Sequence, residues 1–434
     1  MRAYHTWNSH SPVYVWVSQY GDRADLFLNR VGSFVRSFLG AVIVYQNMLP
    51  MMWFTFGDIC RAAHVYFIRY DLQLYDRQTN SPAKPRSWGF TDELGQVSHI
   101  LTDKTGTLTD NAKMALQTVS VAVGDSTALY GTDEDANTLS YRREVVELRK
   151  RIINDSLDLD PELDNYEAKN EFSFSDKAVF NDLAESSSDR AIALGAFWTC
   201  ATVCHDVSIA QSSLGFNSNT SAPVVDPRKP FYGSSAEEIA VVDAARVVGF
   251  RFLSRTADSL TISFPGNQQC AFQVLRVFPF SDDRRRMTVV VKDPQGQVIA
   301  FTKGADDAMF PFAATPDAAA QSSLNKLRSD ATEFAAAGLR TLIYATRAFA
   351  PESYAKWEKR YEQALSAVKS NPSDKVYRRR LIESVEALEN QFTLVGAVGI
   401  EDPLRPDIPE TVETLFRAGM RIWMVTGDRS ETAM

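Results

Sequence analysis

The string LTDKTGTLTDN at residues 101–111 limits this chain more than any other feature. It closes the stretch QVSHILTD, in which Val97, Ile100 and Leu101 predict a β-strand that ends at Asp103. Parallel sheets bind their ligands at the carboxyl ends of their strands. We therefore expect the carboxylate of Asp103 at the ligand-binding edge of an α/β domain.

The residues after Asp103 suit phosphoryl transfer. Backbone N–H groups of the Thr-Gly-Thr turn can point toward an oxyanion, and Lys104 adds a positive charge. A carboxylate in such surroundings can attack phosphorus and become an acyl phosphate. Two residues later stands Thr105, a poor general acid or base, so the acyl phosphate should persist. The simpler alternative is an N-capped turn with an incidental aspartate.

Residues 37–57, SFLGAVIVYQNMLPMMWFTFG, carry no charged side chain. At about 1.5 Å per residue, a helix of this length spans roughly 30 Å, the thickness of the bilayer hydrocarbon. Pro50 lies inside the segment, and membrane helices tolerate proline where the freed backbone groups find partners. We predict a transmembrane helix here, with a buried core helix as the alternative.

The middle of the chain has the pattern of an antiparallel sheet, with predicted strands AFQVLRVFPF, RMTVVVKD and QVIAFTKG. Arg284, Arg285 and Arg286 are interpreted as a mostly solvated strand face. Near the C-terminus, an amphipathic helix closed by Gly419 precedes the strand MRIWMVTGD, which is typical of a parallel α/β sheet. GAFWTCATVCH is interpreted as an apolar helix rather than a metal site.

Composition narrows the class of protein. The net charge of −8 gives no reason to expect nucleic acid as a partner. Four cysteines in 434 residues indicate a reducing compartment. No GxxxxGK loop occurs, which disfavours an ordinary P-loop ATPase.

DKTGTLT is also the phosphorylation signature of the P-type ATPases. Further segments resemble, in order, those of the phospholipid-transporting class, the type IV P-type ATPases or lipid flippases. They are SPAK, DELGQVSHILTDKTGTLTDN, SSAEEIAVVDAARVVGF, FPFSDDRRRM, FTKGADD, GLRTL, IEDPLRPDIPETVETLFRAG and MVTGDRSETA. The resemblance covers about residues 35–434 and is that of a central slice of such a protein.

The resemblance implies an α/β fold with three parts. These are a partial haloacid-dehalogenase-like (Rossmannoid) phosphorylation domain, an inserted α+β nucleotide-binding domain of antiparallel sheet and helices, and one transmembrane helix. Residues 35–65 would form the transmembrane helix with its central Pro50. Residues 1–34 precede the resemblance, and their tryptophans and tyrosines favour a membrane-interface or exoplasmic segment. Residues 66–115 and 392–434 would form the phosphorylation domain, and residues 116–391 the nucleotide-binding domain.

The resemblance also implies roles for individual residues. Asp103 is the expected catalytic, phosphorylated aspartate, and Asp103 and Thr105 are the expected magnesium ligands, Thr105 through its carbonyl. Phe280 would stack on adenine. The expected ATP-binding residues are Asp103, Lys104, Thr105, Glu238, Phe280, Ser281, Lys303, Arg340, Thr426, Gly427 and Asp428. Taken singly, Phe280 would be read as a core residue and Lys303 as a solvated turn.

Lipid is the expected substrate, because cation pumps of this superfamily place a carboxylate beside the corresponding proline. Here Pro50 is followed by Met51, Met52 and Trp53, and only the polar Asn47 lies one turn before it. Flippases usually carry a small or branched apolar residue and a serine after this proline, so a cation pump stays open as the alternative.

Two motifs of the superfamily are missing from the sequence: a DGET-like loop, which hydrolyses the aspartyl phosphate, and GDGxND, which supplies a second magnesium carboxylate. We therefore expect little turnover from this chain alone, and a non-catalytic, membrane-anchored ATP-binding fragment is a further alternative. The expected cofactors are ATP and Mg²⁺. The expected partners are a phospholipid, the bilayer and an accessory subunit, and the catalytic domains should be cytoplasmic.

Overall fold

The computed structural model describes residues 25–45, 51–76, 80–87, 89–132, 144–145, 148, 174, 176–185, 187–209, 231–266, 268–314, 317–371 and 373–426. The chain divides into two units. The smaller comprises Met1–Ile100 with Ala418–Arg421, and the larger comprises Leu101–Arg417 with Ile422–Met434.

The smaller unit contains two long helices, α1 (Asp25–Tyr45) and α2 (Met51–Tyr70). The range 35–65, predicted as one transmembrane helix, covers the last part of α1 and the first part of α2. Asn47 and Pro50 lie outside the described residues. Within the described ranges, no helix is long and apolar enough to cross a bilayer. Charged residues are one reason, since α2 includes Asp58, Arg61 and Arg69.

The larger unit is built on a nine-stranded sheet with the order β3-β2-β12-β11-β10-β9-β8-β7-β6, and every neighbouring pair is antiparallel. The strands are β2 (Ala115–Val123), β3 (Ser126–Gly131), β6 (Arg251–Arg255), β7 (Ser259–Ser263), β8 (Gln269–Ser281), β9 (Arg286–Lys292), β10 (Val298–Gly304), β11 (Arg340–Phe349) and β12 (Thr393–Glu401). The strands predicted around β8, β9 and β10 are confirmed.

Helices cover both faces of this sheet. They are α3 (Lys177–Ala184), α4 (Asp189–Val203), α5 (Ala236–Val248), the short α6 (Asp306–Met309), α7 (Ala318–Ala336), α8 (Pro351–Ser370) and α9 (Lys375–Leu388). A small ribbon of β4 (Ser208–Ile209) and β5 (Phe231–Tyr232) lies apart from the sheet. Hydroxyl or carboxylate caps start several helices: Ser188 Oγ accepts from Ala191 N in α4 and Asp317 Oδ1 from Ala320 N in α7.

The alternation of side chains along the central strands explains the covering on both faces. In β9, Val289 and Val291 join the core formed with α4 and α5, whereas Val290 points into the core formed with α8 and α9. In β11, Tyr344 faces the first core and Ile343 faces α7. Strands that are apolar at successive positions are therefore buried on both sides.

The larger unit also contains helix α10 (Ile408–Arg417). Strands β1 (His99–Asp103) and β13 (Arg421–Val425) lie mostly in this unit and pair with each other in a separate two-stranded sheet. The apolar strand predicted at MRIWMVTGD is typical of a buried parallel sheet, but its Trp423 is 60% exposed, and Leu101 in β1 is 74% exposed. The predicted domain boundaries stay a prediction. Strand β12 lies within residues 392–434, which were assigned to the phosphorylation domain, but it is the third strand of the nine-stranded sheet.

Candidate functional site

The loop after β1 is a single tight turn. Asp103 precedes it, and its Oδ1 accepts a hydrogen bond of 2.7 Å from the Lys104 backbone N–H. Gly106 has φ of +77°, and a Cβ there would lie 2.7 Å from Asn111 Nδ2. An L-residue at this position would be strained, so the turn requires glycine.

A second segment, residues 403–405, is hydrogen-bonded to this loop. The Asp110 N–H donates to Pro403 O at 2.9 Å, and the Arg405 N–H donates to Leu108 O at 3.0 Å. The Arg405 side chain donates to Thr109 O at 3.2 Å and to Gly106 O at 3.1 Å. The quoted motifs DKTGTLTDN and IEDPLRPD are therefore hydrogen-bonded to each other in the fold.

A cleft of about 670 Å³ lies in the larger unit and brings together residues from six segments of the chain. Seven of the residues expected to bind ATP line it: Asp103, Thr105, Glu238, Phe280, Lys303, Arg340 and Thr426. Lys104 and Ser281 do not line the cleft, and the Lys104 side chain is only 8% exposed. Gly427 and Asp428 lie outside the described residues.

The buried part of the cleft contains an ion pair. Lys303 Nζ lies 2.7 Å from Glu238 Oε1, and both side chains are largely buried. The second carboxylate oxygen of Glu238 accepts a hydrogen bond of 2.6 Å from the Asp206 backbone N–H. Ser235 caps the same helix, α5, by accepting from the Glu238 N–H. The ion pair and the Asp206 N–H together hold the Glu238 side chain in one position.

A second ion pair lies beside the first, with Arg340 Nη1 at 2.8 Å from Glu237 Oε1. Arg340 begins β11, and Glu237 is in the first turn of α5. Both side chains are 22% exposed, so solvent and a ligand can reach them. The cleft thus offers a guanidinium at an accessible position and an ammonium deeper inside.

Phe280 lies near the end of β8 with its side chain 57% exposed. The neighbouring turn brings Arg285 into the cleft, where its guanidinium pairs with the Asp307 carboxylate. An exposed aromatic ring beside cationic side chains offers a stacking surface for a base and charges for phosphate. Asp103 and Thr105 contribute hard oxygen atoms, the kind of ligand that Mg²⁺ prefers.

Two thiols and an imidazole lie in the core behind the cleft. Burial raises the pKa of Cys200 well above its ordinary value and that of Cys204 to about 12, although the charge of Lys303 opposes the shift at Cys204. Burial, reinforced by the charges of Arg255 and Lys303, lowers the pKa of His205. Protonated thiols are poor metal ligands. Within the described residues, no group of three side chains is arranged to hold a metal ion.

About half of this chain matches a known protein family, and most of it aligns with curated relatives. Residues 194–407 match the family described as P-type ATPase, cytoplasmic domain N. The phospholipid-transporting ATPase dnf2 of Schizosaccharomyces pombe is 30% identical over 413 residues, covering 92% of this chain and 28% of that protein. The phospholipid-transporting ATPase IC of Xenopus tropicalis is 31% identical over 399 residues, with 92% and 28% covered. The chain belongs to the phospholipid-transporting P-type ATPases. It spans about 28% of the length of these two relatives.

Several residues that line the cleft of this P-type ATPase chain are not predicted as site residues from the sequence, among them Glu237 and Arg285. Glu237 stands next to the expected Glu238, and only the structure reveals its pairing with Arg340. Arg285 was assigned to a solvated strand face together with Arg284 and Arg286. That interpretation is wrong for Arg286, which is 4% exposed, and for Arg284, whose side chain is 15% exposed and bonded to Glu389. Three consecutive arginines carry no periodicity that could have separated their environments.

Proposed function

We propose that this chain forms the ATP-binding and phosphorylation portion of a lipid-transporting P-type ATPase. One observation carries the proposal. A single cleft of about 670 Å³ is lined by the candidate nucleophile Asp103 and by the candidate base- and phosphate-binding residues Phe280, Lys303 and Arg340. These residues are far apart in sequence. If Lys303 lay in a solvated turn and Asp103 were incidental, there would be no reason for them to line the same cleft.

In the proposed complex, adenine stacks on Phe280, which has more than half of its side chain exposed. Such stacking contributes about 1–3 kcal/mol per base. Lys303, neutralised by Glu238 at 2.7 Å, closes the base of the pocket. Arg340 reaches the phosphates, and its pairing with Glu237 keeps the guanidinium at the cleft in the absence of a ligand.

The proposed chemical step is attack by a carboxylate oxygen of Asp103 on the γ-phosphorus. A new O–P bond forms, the bond from the γ-phosphorus to the β,γ-bridging oxygen breaks, and ADP leaves with that oxygen. The hydrogen bond from the Lys104 N–H to Oδ1 orients the carboxylate. A magnesium ion held by Asp103 and the Thr105 carbonyl would offset the negative charge that develops on the phosphoryl oxygens. Thr105 supplies no general base, so the acyl phosphate should be long-lived.

The remaining elements of the proposal rest on the family. The two-stranded sheet of β1 and β13 with α10 would belong to a haloacid-dehalogenase-like phosphorylation domain, with the nine-stranded sheet inserted as the nucleotide-binding domain. In the whole protein, the phosphorylation cycle would drive phospholipid across a membrane, with the catalytic domains on the cytoplasmic side. Phospholipid is favoured over a cation because residues 37–57 contain no carboxylate.

ATP titration of the chain by calorimetry tests the central claim. We expect binding of ATP by the folded chain, and weaker binding by the Phe280→Ala variant. The Leu129→Ala variant is a matched control, because Leu129 is equally exposed, at 57%, and lies outside the cleft. Absence of binding at millimolar ATP, with folding verified by circular dichroism, would overturn the proposal. Binding without any phosphorylation in an intact assembly would support the non-catalytic alternative.

A further inference from the structure

A buried carboxylate, Glu389, lies outside the cleft but is hydrogen-bonded to the β8–β9 hairpin that carries Phe280. Glu389 follows the last residue of α9 and is 0% exposed. Its Oε1 accepts from Arg284 Nη1 at 2.6 Å and from Thr288 Oγ1 at 2.7 Å, and its Oε2 accepts from Arg286 Nε at 2.7 Å. Three donors from one hairpin, β8 to β9, therefore converge on a single side chain from a distant part of the sequence.

The same hairpin is irregular where Phe280 stands. The ladder between β8 and β9 shifts register between Phe278 and Ser281, and the next regular pair is Ser281 with Arg286. Pro279 has no N–H to donate to a ladder. Bulges of this kind re-aim side chains at binding sites. Here the bulge leaves Pro279 and Phe280 without regular pairing to β9.

Arg284 makes contacts on both sides of Phe280 at this irregularity. Its Nη2 donates to Pro279 O, and its Nε lies 3.3 Å from Ser281 Oγ. The remaining nitrogen, Nη1, is the one held by Glu389. A chain of hydrogen bonds thus runs from the buried carboxylate through one guanidinium to the two residues that flank Phe280.

Arg286 steadies the same turn from the other end. Its Nη1 donates to Arg284 O at 3.2 Å, and its guanidinium lies 4.2 Å from the centre of the Phe312 ring. Gly304 packs against this backbone so closely that a Cβ would lie 2.7 Å from Arg286 Cβ. These contacts of Arg286 and Gly304 fix the turn, whereas the Phe280 ring projects with 57% exposure.

We infer that Glu389 is a positioning residue for Phe280, acting through Arg284 to hold the backbone on both sides of the ring. This inference rests on the proposed stacking of adenine on Phe280. An exposed ring has few packing contacts to fix it, so its orientation depends on the backbone that carries it. Without the carboxylate, Arg284 loses the anchor that aligns it with Pro279 and Ser281, and the ring loses its fixed placement for stacking.

A double-mutant cycle on the whole chain tests this inference. The variants are Glu389→Gln, Arg284→Met and Phe280→Ala, singly and with each of the first two combined with Phe280→Ala. The ligands are ATP and inorganic triphosphate, which has no base. We expect each single variant to weaken ATP binding by about tenfold, within the range for base stacking. Triphosphate binding should change less than twofold, and the combined variants should bind ATP no more weakly than Phe280→Ala alone.

Glu383→Gln is the matched control, because Glu383 lies on α9 and pairs with Arg379 at the surface. It should bind ATP like the wild type. Glu389→Gln removes a buried charge partner and can fail to fold; Arg284→Met leaves Glu389 bonded to Arg286 and Thr288 and then decides the question. Failure of the wild type to bind ATP, or an unchanged affinity in Phe280→Ala, would contradict the proposed function. Wild-type binding that Phe280→Ala weakens, together with additive losses or unchanged affinity in Arg284→Met, would overturn the role of Glu389 alone.

Discussion

Lys303 and Glu238 form an ion pair of 2.7 Å in which both partners are largely buried, at 7% and 12% side-chain exposure. The pair joins strand β10 to helix α5, and a backbone N–H from Asp206 satisfies the second oxygen of Glu238. Burying either charge without its partner is costly. The pair is therefore both a structural connection and the base of the candidate nucleotide site.

The first prediction concerns the stability of this pair. Lys303→Met and Glu238→Gln should each lower the free energy of unfolding by about 3 kcal/mol, since each leaves one buried charge unpaired. The double variant should lose clearly less than the sum of the two. Urea unfolding of the four proteins measures the coupling. Removing Glu413, whose pair with Arg417 is exposed, should cost under about 1 kcal/mol. Additive losses at Lys303 and Glu238 would contradict the prediction.

The second prediction separates the phosphates from the base. Arg340→Gln should weaken ATP binding by about tenfold or more, because a charge-assisted hydrogen bond is worth about 1.5–3 kcal/mol. Binding of AMP, which lacks the outer phosphates, should change little. Calorimetric titration with both nucleotides gives the two ratios. Arg379→Gln, at an exposed position on α9, is the control. An equal loss for ATP and AMP would place Arg340 away from the outer phosphates.

The sequence predicts several strands and one helix of this fold because the patterns that identify them are local. The strands around β8, β9 and β10 follow from continuous apolar runs between turn residues, and α10 from its helical spacing ended by Gly419. Seven of the expected site residues also line one cleft. The expectation that these residues act together came from the order of the motifs, since no local property of Lys303 or Arg340 predicts that they meet.

The sequence fails where the outcome depends on distant partners. The sequence predicts solvated side chains for Arg284 and Arg286, but in the fold both are hydrogen-bonded to Glu389, which lies more than a hundred positions later. Trp423 in β13 is exposed. Its exposure depends on which elements pack against β13, and an apolar run in the sequence does not identify those elements. The transmembrane helix predicted over residues 35–65 rests on an uncharged run, whereas α2 includes Asp58 and Arg61, and no helix within the described residues is long and apolar enough to cross a bilayer.

The third prediction concerns pH. The pKa of His205 is lowered by burial and by the charges of Arg255 and Lys303, from an ordinary value of 6.5. At pH values below 6.5, His205 binds a proton in the unfolded chain but not in the folded chain. The free energy of unfolding therefore decreases as the pH falls. The slope from this residue should approach about 1.4 kcal/mol per pH unit.

Urea unfolding of the wild type and of His205→Gln between pH 7.5 and 5.0 checks this prediction. The pH range is about one unit above and 1.5 units below the ordinary histidine pKa. The glutamine can replace the acceptor that His205 Nδ1 offers to the Val207 N–H, but it cannot titrate. Subtracting the two curves removes the contribution of the other titrating side chains. Parallel curves would mean that His205 gains its proton equally in both states.

The last prediction concerns Asp103 itself and needs an assembly that includes the DGET-like loop and the GDGxND segment. A chimera in which residues 101–426 replace the matching part of the S. pombe relative provides one. With Mg²⁺ and γ-labelled ATP it should form a labelled protein that resists acid and is cleaved by hydroxylamine, as an acyl phosphate is. Asp103→Asn should abolish labelling while ATP binding persists, because the amide keeps the shape but is a very poor nucleophile. Lys104→Ala should reduce labelling less completely, since losing one stabilising donor costs about 2.7–4 kcal/mol of barrier. Equal labelling of the Asp103→Asn chimera and its parent would show that another residue accepts the phosphoryl group.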